Sequence, residues 1–561
     1  MKRTRRGPAA VLLCLLMILS GCGAQGTADE LSDTGTASSG LAAAAISAID
    51  TASLFSDRDL AGTYDESGAV AVQLNGDSAS CDSNSVAVDG GAVTITAEGV
   101  YLLSGTLTDG QIIVNAGDAD KVQLVLAGAD ITSGTSAAIY ALNADKVFVT
   151  LAEGTENTLT NGGEYAAIDD NNIDAVLFAK TDLTLNGTGN LAINAQAGHG
   201  VVSKDELTIT GGSYAITAAS HGLSGKDSVA IADGTFTIVS GKDGIHAENS
   251  DDLALGALYI AGGSFAITAQ GDAVSAQGAL QIDGGTFDLY TGEGSESVTM
   301  ASSDQFGQRG GGAAPQTETA SAEEDSVSQK GIKGESAYAV NGGLFTIDSA
   351  DDCLHAGGAM TISGGTFTLN SGDDAVHSDD AITILNGTFT IPYCYEGIEG
   401  LSITIEEGSF DISSHDDGLN AAGGADSSGF GGFGGRQQDT FTAGSDSFIT
   451  INGGTVTVVA SGDCVDSNGA LTINGGTLKL TCSSSDNTAI DCDGAYASNG
   501  GDITTNDGSE NSPGQTGGMM GGAMTEGGRG DAMGRLPGGE LPSDLEESQP
   551  DGGAAGVGQP S

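Results

Sequence analysis

The stretch ISGGTFTLNSGDDAVHSDD, residues 362–380, holds two patterns from which the rest of the chain can be read. Its first half alternates apolar and polar residues after a Gly-Gly turn, which is strand periodicity and not helix periodicity. Its second half sets Asp373 and Asp374 side by side, with His377 three residues on. Near copies recur: ITGGSYAITAASHG, IADGTFTIVSGKDG, IAGGSFAITAQGDA, IDGGTFDLYTGEG, VNGGLFTIDSADDC, LNGTFTIPYCYEG, EEGSFDISSHDDG, INGGTVTVVASGDC and INGGTLKLTCSSSD. Their turn glycines are Gly212, Gly234, Gly263, Gly285, Gly343, Gly365, Gly387, Gly408, Gly454 and Gly476, mostly 21 or 22 residues apart. The spacing of 29 contains a small loop, and those of 58 and 46 read as about two coils plus an insert each.

One unit of this size cannot bury its own apolar side chains, but stacked units bury them in a continuous column. The pattern predicts an all-β chain, a right-handed parallel β-helix of about 22 residues per coil. A leucine-rich horseshoe would show LxxLxL, which is absent. Phe236, Phe265, Phe287, Phe345, Phe367, Phe389 and Phe410 follow the turn glycine by two residues and are expected to form an interior column. The alternative is an exposed aromatic ladder. Weaker copies run back to about residue 68, giving on the order of 16 coils, each about 4.8 Å deep.

Outside the repeat, residues 1–21 have a basic start and an apolar run, VLLCLLMIL, as in a secretory leader. Leu19-Ser20-Gly21-Cys22 resembles a bacterial lipobox, which implies diacylglycerol on Cys22 and an extracytoplasmic protein held on a membrane or cell surface. Residues 22–62 read as the acylated cysteine and a flexible tether, and 63–495 as the β-helix. Its Gly/Ser-rich inserts, 292–329 and 421–446, read as surface loops, and the Gly, Pro and acid-rich residues 496–561 as a disordered tail.

Of 561 residues, 75 are acidic and 18 basic, a formal net charge of −57. Such a charge repels nucleic acid and anionic membrane surface and favours cations. Monomeric behaviour is the expectation. Nine residues past each turn glycine stand His221, Asp243, Asp272, Gly294, Asp352, Asp374, Glu396, Asp417, Asp463 and Ser485. Asp351, Asp373 and Asp416 precede three of these. Three residues further on come Ser224, His246, Ser275, His355, His377, Glu399, Asn420 and Asp466. Stacked coils would place these carboxylates in one file of like charges, which is destabilising unless some are protonated or a cation lies between them.

Calcium is the hard cation that takes oxygen ligands outside the cell. Its expected ligands are Asp243, Asp272, Asp351, Asp352, Asp373, Asp374, Glu396, Asp416, Asp417 and Asp463. A zinc site from His355, His377 and Asp374 is a second reading. The third is that Asp serves the turn backbone alone.

The GGTFTI repeat, the DDxxH rungs, the Gly-rich inserts and the lipobox together resemble the calcium-binding, carbohydrate-binding β-helix lipoproteins of anaerobic bacteria, relatives in fold of the pectate lyases. The resemblance spans roughly residues 68–495. It implies calcium, and binding to polygalacturonate (pectin) and cellulose without cleavage. The rung YCYEGIEG around Glu396 departs from DDxxH, so the family's role carries over to it least directly.

Three functional classes follow. The first is a calcium-dependent binder of extracellular polysaccharide. The second is a pectate-lyase-like enzyme, for which Lys330 is the base candidate, since SQKGIKGES aligns with GKDGIHAEN. Neighbouring carboxylates raise a lysine's pKa, so Lys330 reads better as a cap on the acidic run. Gly198-His199-Gly200 lacks the companion motifs of polygalacturonases, and His199 aligns with the rung residue His221. The third class is a calcium-rigidified adhesin-like surface protein. With no Trp in the chain, the sugar-stacking candidates are Tyr393 and Tyr395. The cysteines do not form a disulfide framework, with a Cys482–Cys492 pair left open.

Overall fold

The computed structural model describes residues 48–166, 169–252, 254–300, 328–422 and 447–513. The leader, Cys22, most of both inserts and the chain past residue 513 lie outside the described residues. The rest is nearly all β, with 43 strands in one sheet. Thr366–Ser371 pairs in parallel with Leu344–Ser349 on one side and with Thr388–Tyr393 on the other. Leu354–Ala356 and Met360–Ile362 pair likewise with the strands equivalent to them in the adjoining repeats. Each repeat thus adds one strand to each of three parallel ladders. One ladder runs through sixteen strands, from Val70–Gly76 to Asp502–Thr505.

Alternate residues of that ladder point inward, as in Thr235–Ser240, where Phe236, Ile238 and Ser240 are buried and the others exposed. Tyr214 and the seven phenylalanines stack in register, ring centroids 4.5–5.2 Å apart and planes within 12°. All are at most 2 % exposed, so the aromatic file is core and not a surface ladder. Each such contact contributes about 0.5–1.5 kcal/mol beyond area burial. The stack also explains the turn glycine. Gly365 has φ +127°, and a Cβ there would lie 2.8 Å from the Phe367 ring.

Several expectations need correction. The sheet is mixed and not wholly parallel. Val70–Gly76 pairs antiparallel with Ala79–Ser80, and Val86–Asp89 with Ala92–Ile95, because short turns return the chain at once. The glycine spacings of 58 and 46 each span one layer, not two. Phe287 lies directly on Phe345, and Phe410 pairs with Val456. The column also continues past residue 495. Tyr496–Ser498 and Asp502–Thr505 extend two ladders, since Ile503 packs on the core although the segment's Gly and Asp content reads as tail.

The largest correction concerns the tether. Residues 48–62 lie along the column as a strap. Ala48 N and Ile49 N donate to Gln281 Oε1 (2.8 and 3.0 Å), and Phe55 meets Tyr259 with centroids 6.1 Å apart. Arg58 lies 4.4 Å over the Phe148 ring. Asp59, in the short helix Asp57–Ala61 with Ser56 as its capping box, is buried against Thr184 Oγ1 (2.6 Å) and Lys146 Nζ (2.8 Å). Phe148, Thr184, Thr208, Ala230, Tyr259 and Gln281 form one register line. Every one of them is at most 7 % exposed. The strap covers a file that strand alternation alone would leave in water.

Candidate functional site

The acids stand at the corner before the short strands of a second ladder. Here the turn interrupts the regular strand hydrogen bonding, and side chains take over the orphaned amides. Asp272 N donates to Asp243 Oδ1 (2.9 Å), Lys330 N to Asp272 Oδ1 (2.7 Å) and Asp374 N to Asp352 Oδ1 (3.0 Å). Glu396 N donates to Asp374 Oδ1 (3.3 Å), and Asp463 N to Asp417 Oδ1 (2.6 Å). One oxygen of these acids thus ties its layer to the next. Turn chemistry accounts for that oxygen and leaves the other free to act. Gly294 and Ser485 leave the file because loops intervene. Lys330 and Thr488 receive the bonds in their layers.

The partner of the second oxygen comes from the strand that follows. Ser224, His246, Ser275, Lys333, His355, His377, Glu399, Asn420 and Asp466 stand in strict register beside the acids. In the upper layers this second file is cationic. Asp243 Oδ2 lies 2.6 Å from His246 Nδ1. Asp352 Oδ2, fully buried, lies 2.7 Å from Lys330 Nζ and 2.9 Å from His355 Nδ1, and Lys330 also reaches Asp351 Oδ1 at 3.0 Å. Burial pushes the Asp352 carboxyl up, but Lys330 and His355 outweigh it and hold it below the usual carboxylate range. His377 Nδ1 lies 3.1 Å from Asp374 and 3.2 Å from Glu399, with Nε2 3.3 Å from Asp379. Burial opposes its charge, yet these three carboxylates raise it well above an ordinary histidine. Asp374 itself is raised, by burial and then by Glu399 and Asp373. Asp272 is pushed up to about 6 by burial and Asp243, with Lys333 opposing.

Below Asp374 the second file turns acidic or neutral. Among the described residues no Lys, Arg or His forms an ion pair with Glu396, Asp416, Asp417, Asp463, Asp466 or Asp491. Burial and mutual repulsion raise Glu396 and Asp417 well above their ordinary values, Asp463 to about 6 and Asp466 to about 7. Asp463, Asp466 and Asp491 offer oxygens within 4.8 Å of one another. Beside them, Asn420 is 4 % exposed and in register with Asp466. Its Nδ2 donates to Glu396 Oε2 (2.8 Å), while its Oδ1 is buried without a hydrogen-bond partner. A buried orphan acceptor next to unneutralised carboxylates is an oxygen-only donor set, the chemistry that hard cations take.

Asp351, Asp352 and Asp373 also converge, but Lys330 already supplies positive charge there. The zinc trio does not assemble as expected. His355 and His377 stack at 5.1 Å, but each turns Nδ1 to its own acid, and the group that converges is Asp374, His377 and Glu399. Tyr395 Oη donates to Asp416 Oδ2 (2.6 Å), and Tyr393 packs edge-on against His415 at 5.0 Å. Cys353, Cys394, Cys464, Cys482 and Cys492 are free thiols, so Cys482 and Cys492 do not pair.

Three participants escaped the sequence reading. Lys333 was signalled by GIKG standing where GIHA stands two layers earlier. Asp491 sits in TAIDCDG, outside the repeat, and carried no signal. The orphaned oxygen of Asn420 emerges only from packing.

A family model described as carbohydrate-binding domain-containing protein matches residues 89–375 and 372–514, the greater part of the β column. A protein of the same description from Acetivibrio thermocellus is 41 % identical over 128 residues, which are 22 % of this chain and 45 % of that one, so the match spans under half of the relative's length. A solved structure titled as a polysaccharide lyase-like protein from C. thermocellum, a gadolinium derivative, is 35 % identical. It covers 40 % of this chain and 91 % of its own, with a TM-score of 0.39.

Proposed function

Since this chain belongs to the family of carbohydrate-binding domain-containing proteins, we propose that it is a non-catalytic, calcium-dependent binder of plant-type acidic polysaccharide. Polygalacturonate is the first ligand and cellulose the second. Its frame is read as a right-handed parallel β-helix, supported by the three parallel ladders. It is held extracytoplasmically through a lipid on Cys22.

The observation that carries the calcium assignment is the uncompensated lower cluster. Asp417, Asp463, Asp466 and Asp491, with Asn420 Oδ1, are the residues that would hold the ion. Calcium there supplies charge neutralisation and a bridge to sugar carboxylates, which a chain of net charge −57 would otherwise repel. Lys330 is engaged by Asp351 and Asp352 in a buried ion pair, which supports reading it as a cap on the acidic run rather than as the base of a lyase.

The test is retention of the full chain on polygalacturonate and on cellulose, with calcium and with chelator, while unsaturated product is followed at 235 nm. Calcium-dependent retention without product is expected. Product formation, or retention on neither polymer, would sink the reading.

A further inference from the structure

The upper end of the acid column borders a recess of about 340 Å³ with a different chemistry. His199, His221 and His246 line it, their rings stacked at 5.0 and 4.2 Å, together with Lys204, Lys226 and Glu248. His221 N donates to His199 Nδ1 (3.3 Å), and Asp243 N donates to His221 Nδ1 (3.2 Å). A ring nitrogen that accepts an amide hydrogen carries none of its own, so in neutral His199 the hydrogen sits on Nε2, while His221 Nδ1 also lies 3.3 Å from Asp243 Oδ2. Neither Nε2 has a hydrogen-bond partner among the described residues. Burial pushes His199 down to about 3, so it stays a neutral donor.

His246 behaves differently. Its Nδ1 lies 2.6 Å from Asp243 and its Nε2 2.9 Å from Glu248. Burial opposes the charge, but these two bonds outweigh it and raise the ring above an ordinary histidine. His221, Asp243 and His246 also lie within metal-ligand reach of one another. Here His221 Nδ1 is shared between the amide of Asp243 and Asp243 Oδ2 (3.3 Å), and His246 closes on the same carboxylate.

The recess therefore presents the outward Nε2 atoms of His199 and His221 and two ammonium groups. Lys226 pairs with the exposed Asp251, and Lys204 lies 3.8 Å from Asp174. The one carboxylate in the lining, Glu248, is engaged with His246. A sugar hydroxyl both donates and accepts and is best met by a mixed lining. A carboxylate only accepts. Ser203, Ser224 and Ser250 complete the polar lining and can do either, so the preference for an anion rests on Lys204 and Lys226, which only donate. We infer that this recess binds the carboxylate of a uronic acid residue directly, with no bridging cation. The inference rests on the carbohydrate-binding reading above and adds to it a second kind of contact, at the opposite end of the acid column from the lower cluster.

The test is calorimetric titration of the full chain with tri-galacturonate in excess chelator. Parallel titrations use its methyl ester, a neutral cello-oligosaccharide and a sulfated cello-oligosaccharide. Binding of the free acid is expected to survive the chelator and to weaken at least tenfold for the ester and the neutral sugar. The double substitution Lys204→Gln, Lys226→Gln should weaken it at least tenfold, and His221→Asn, which keeps an acceptor for the Asp243 amide, by several-fold. Lys479→Gln, at an exposed lysine of the strand Thr477–Cys482, should leave it unchanged. Thermal unfolding of each variant checks that the column is intact. Equal binding of acid and ester, or tighter binding of the sulfated sugar, overturns the assignment. Loss of all oligomer binding in chelator, with polymer still retained in calcium, overturns this inference and spares the proposed function. No retention under either condition overturns both.

Discussion

From Asp243 to Asp374 the acid column carries cations of its own; from Glu396 to Asp491 the described residues supply none. The two regions share strand register, core and, Glu396 excepted, the hydrogen bond that each acid of the file accepts from the next layer's amide. They differ in the residue three positions on, which is His246, Ser275, His355 or His377 above and Glu399, Asn420 or Asp466 below. Similar layers therefore support opposite electrostatics. Backbone geometry commits one oxygen of each such acid, and a single side chain per layer decides whether the other is neutralised internally or left for an external cation.

The largest test of this contrast is Lys330→Met. It leaves Asp351 and Asp352 buried without their ammonium and should cost about 3–5 kcal/mol in denaturant unfolding. If calcium recovers more stability in this variant than in the parent, the upper region has been converted to the lower kind. A loss under 1 kcal/mol would show that the histidines alone suffice.

Calcium itself comes next. At a free concentration a hundredfold above its Kd it should stabilise the parent by about 2.7 kcal/mol. The Asp463→Asn, Asp466→Asn variant should lose that increment. Retention of it would move the ion elsewhere in the column.

Asp352 and the lower acids should respond to pH in opposite directions on the acid side. Asp463 and Asp466 have folded values near 6 and 7, above the unfolded range, so in chelator the stability they contribute is present at about pH 4 and is lost as pH rises toward 7. Asp352 is depressed, so its contribution is present above its unfolded pKa and is lost on acidification. His377 is raised, so its contribution is complete below pH 6.5 and fades as pH rises through its higher folded value. Hydrogen exchange in chelator at pH 5 and pH 7 should show Leu419–Ala421 better protected at the lower pH, relative to Leu354–Ala356. Equal responses would remove the electrostatic distinction.

The smallest expected effect is Tyr395→Phe. It removes the hydrogen bond to Asp416 at the edge of the lower cluster and should cost about 1 kcal/mol. A larger loss confined to polymer retention would restore Tyr395 as a sugar contact.

The turn glycines, the phenylalanine file and the acid file were legible in the sequence because each repeats at the layer period, and parallel stacking turns an equal offset into spatial contact. The register of Lys330 was legible by the same logic. The span of the long glycine intervals was not, since an insert of tens of residues costs only a little closure entropy and leaves the layer count open. The strap was missed because its small polar residues carry no period. Its fit depends on Asp59 meeting Lys146 and Thr184, residues with no sequence relation to it. The division of the acid column was partly visible in the shift from DDxxH to EGIEG and DDGLN. The sharing of carboxylate oxygens between amide and cation belongs to three-dimensional geometry.

The strap has a mechanical consequence. Residues 48–62 run against the side of the column from the Gln281 layer back to the Lys146 and Thr184 layers. Tension applied from the N-terminal side enters at mid-length, not at an end. It meets the strap's contacts in series: the amides on Gln281, then Phe55 on Tyr259, then the Asp59 cluster. Contacts loaded one after another peel at low force, whereas the parallel ladders share load across many hydrogen bonds at once. The strap thus works as a release line. Peeling it frees some fifteen residues, 48–62, before any layer of the core is strained.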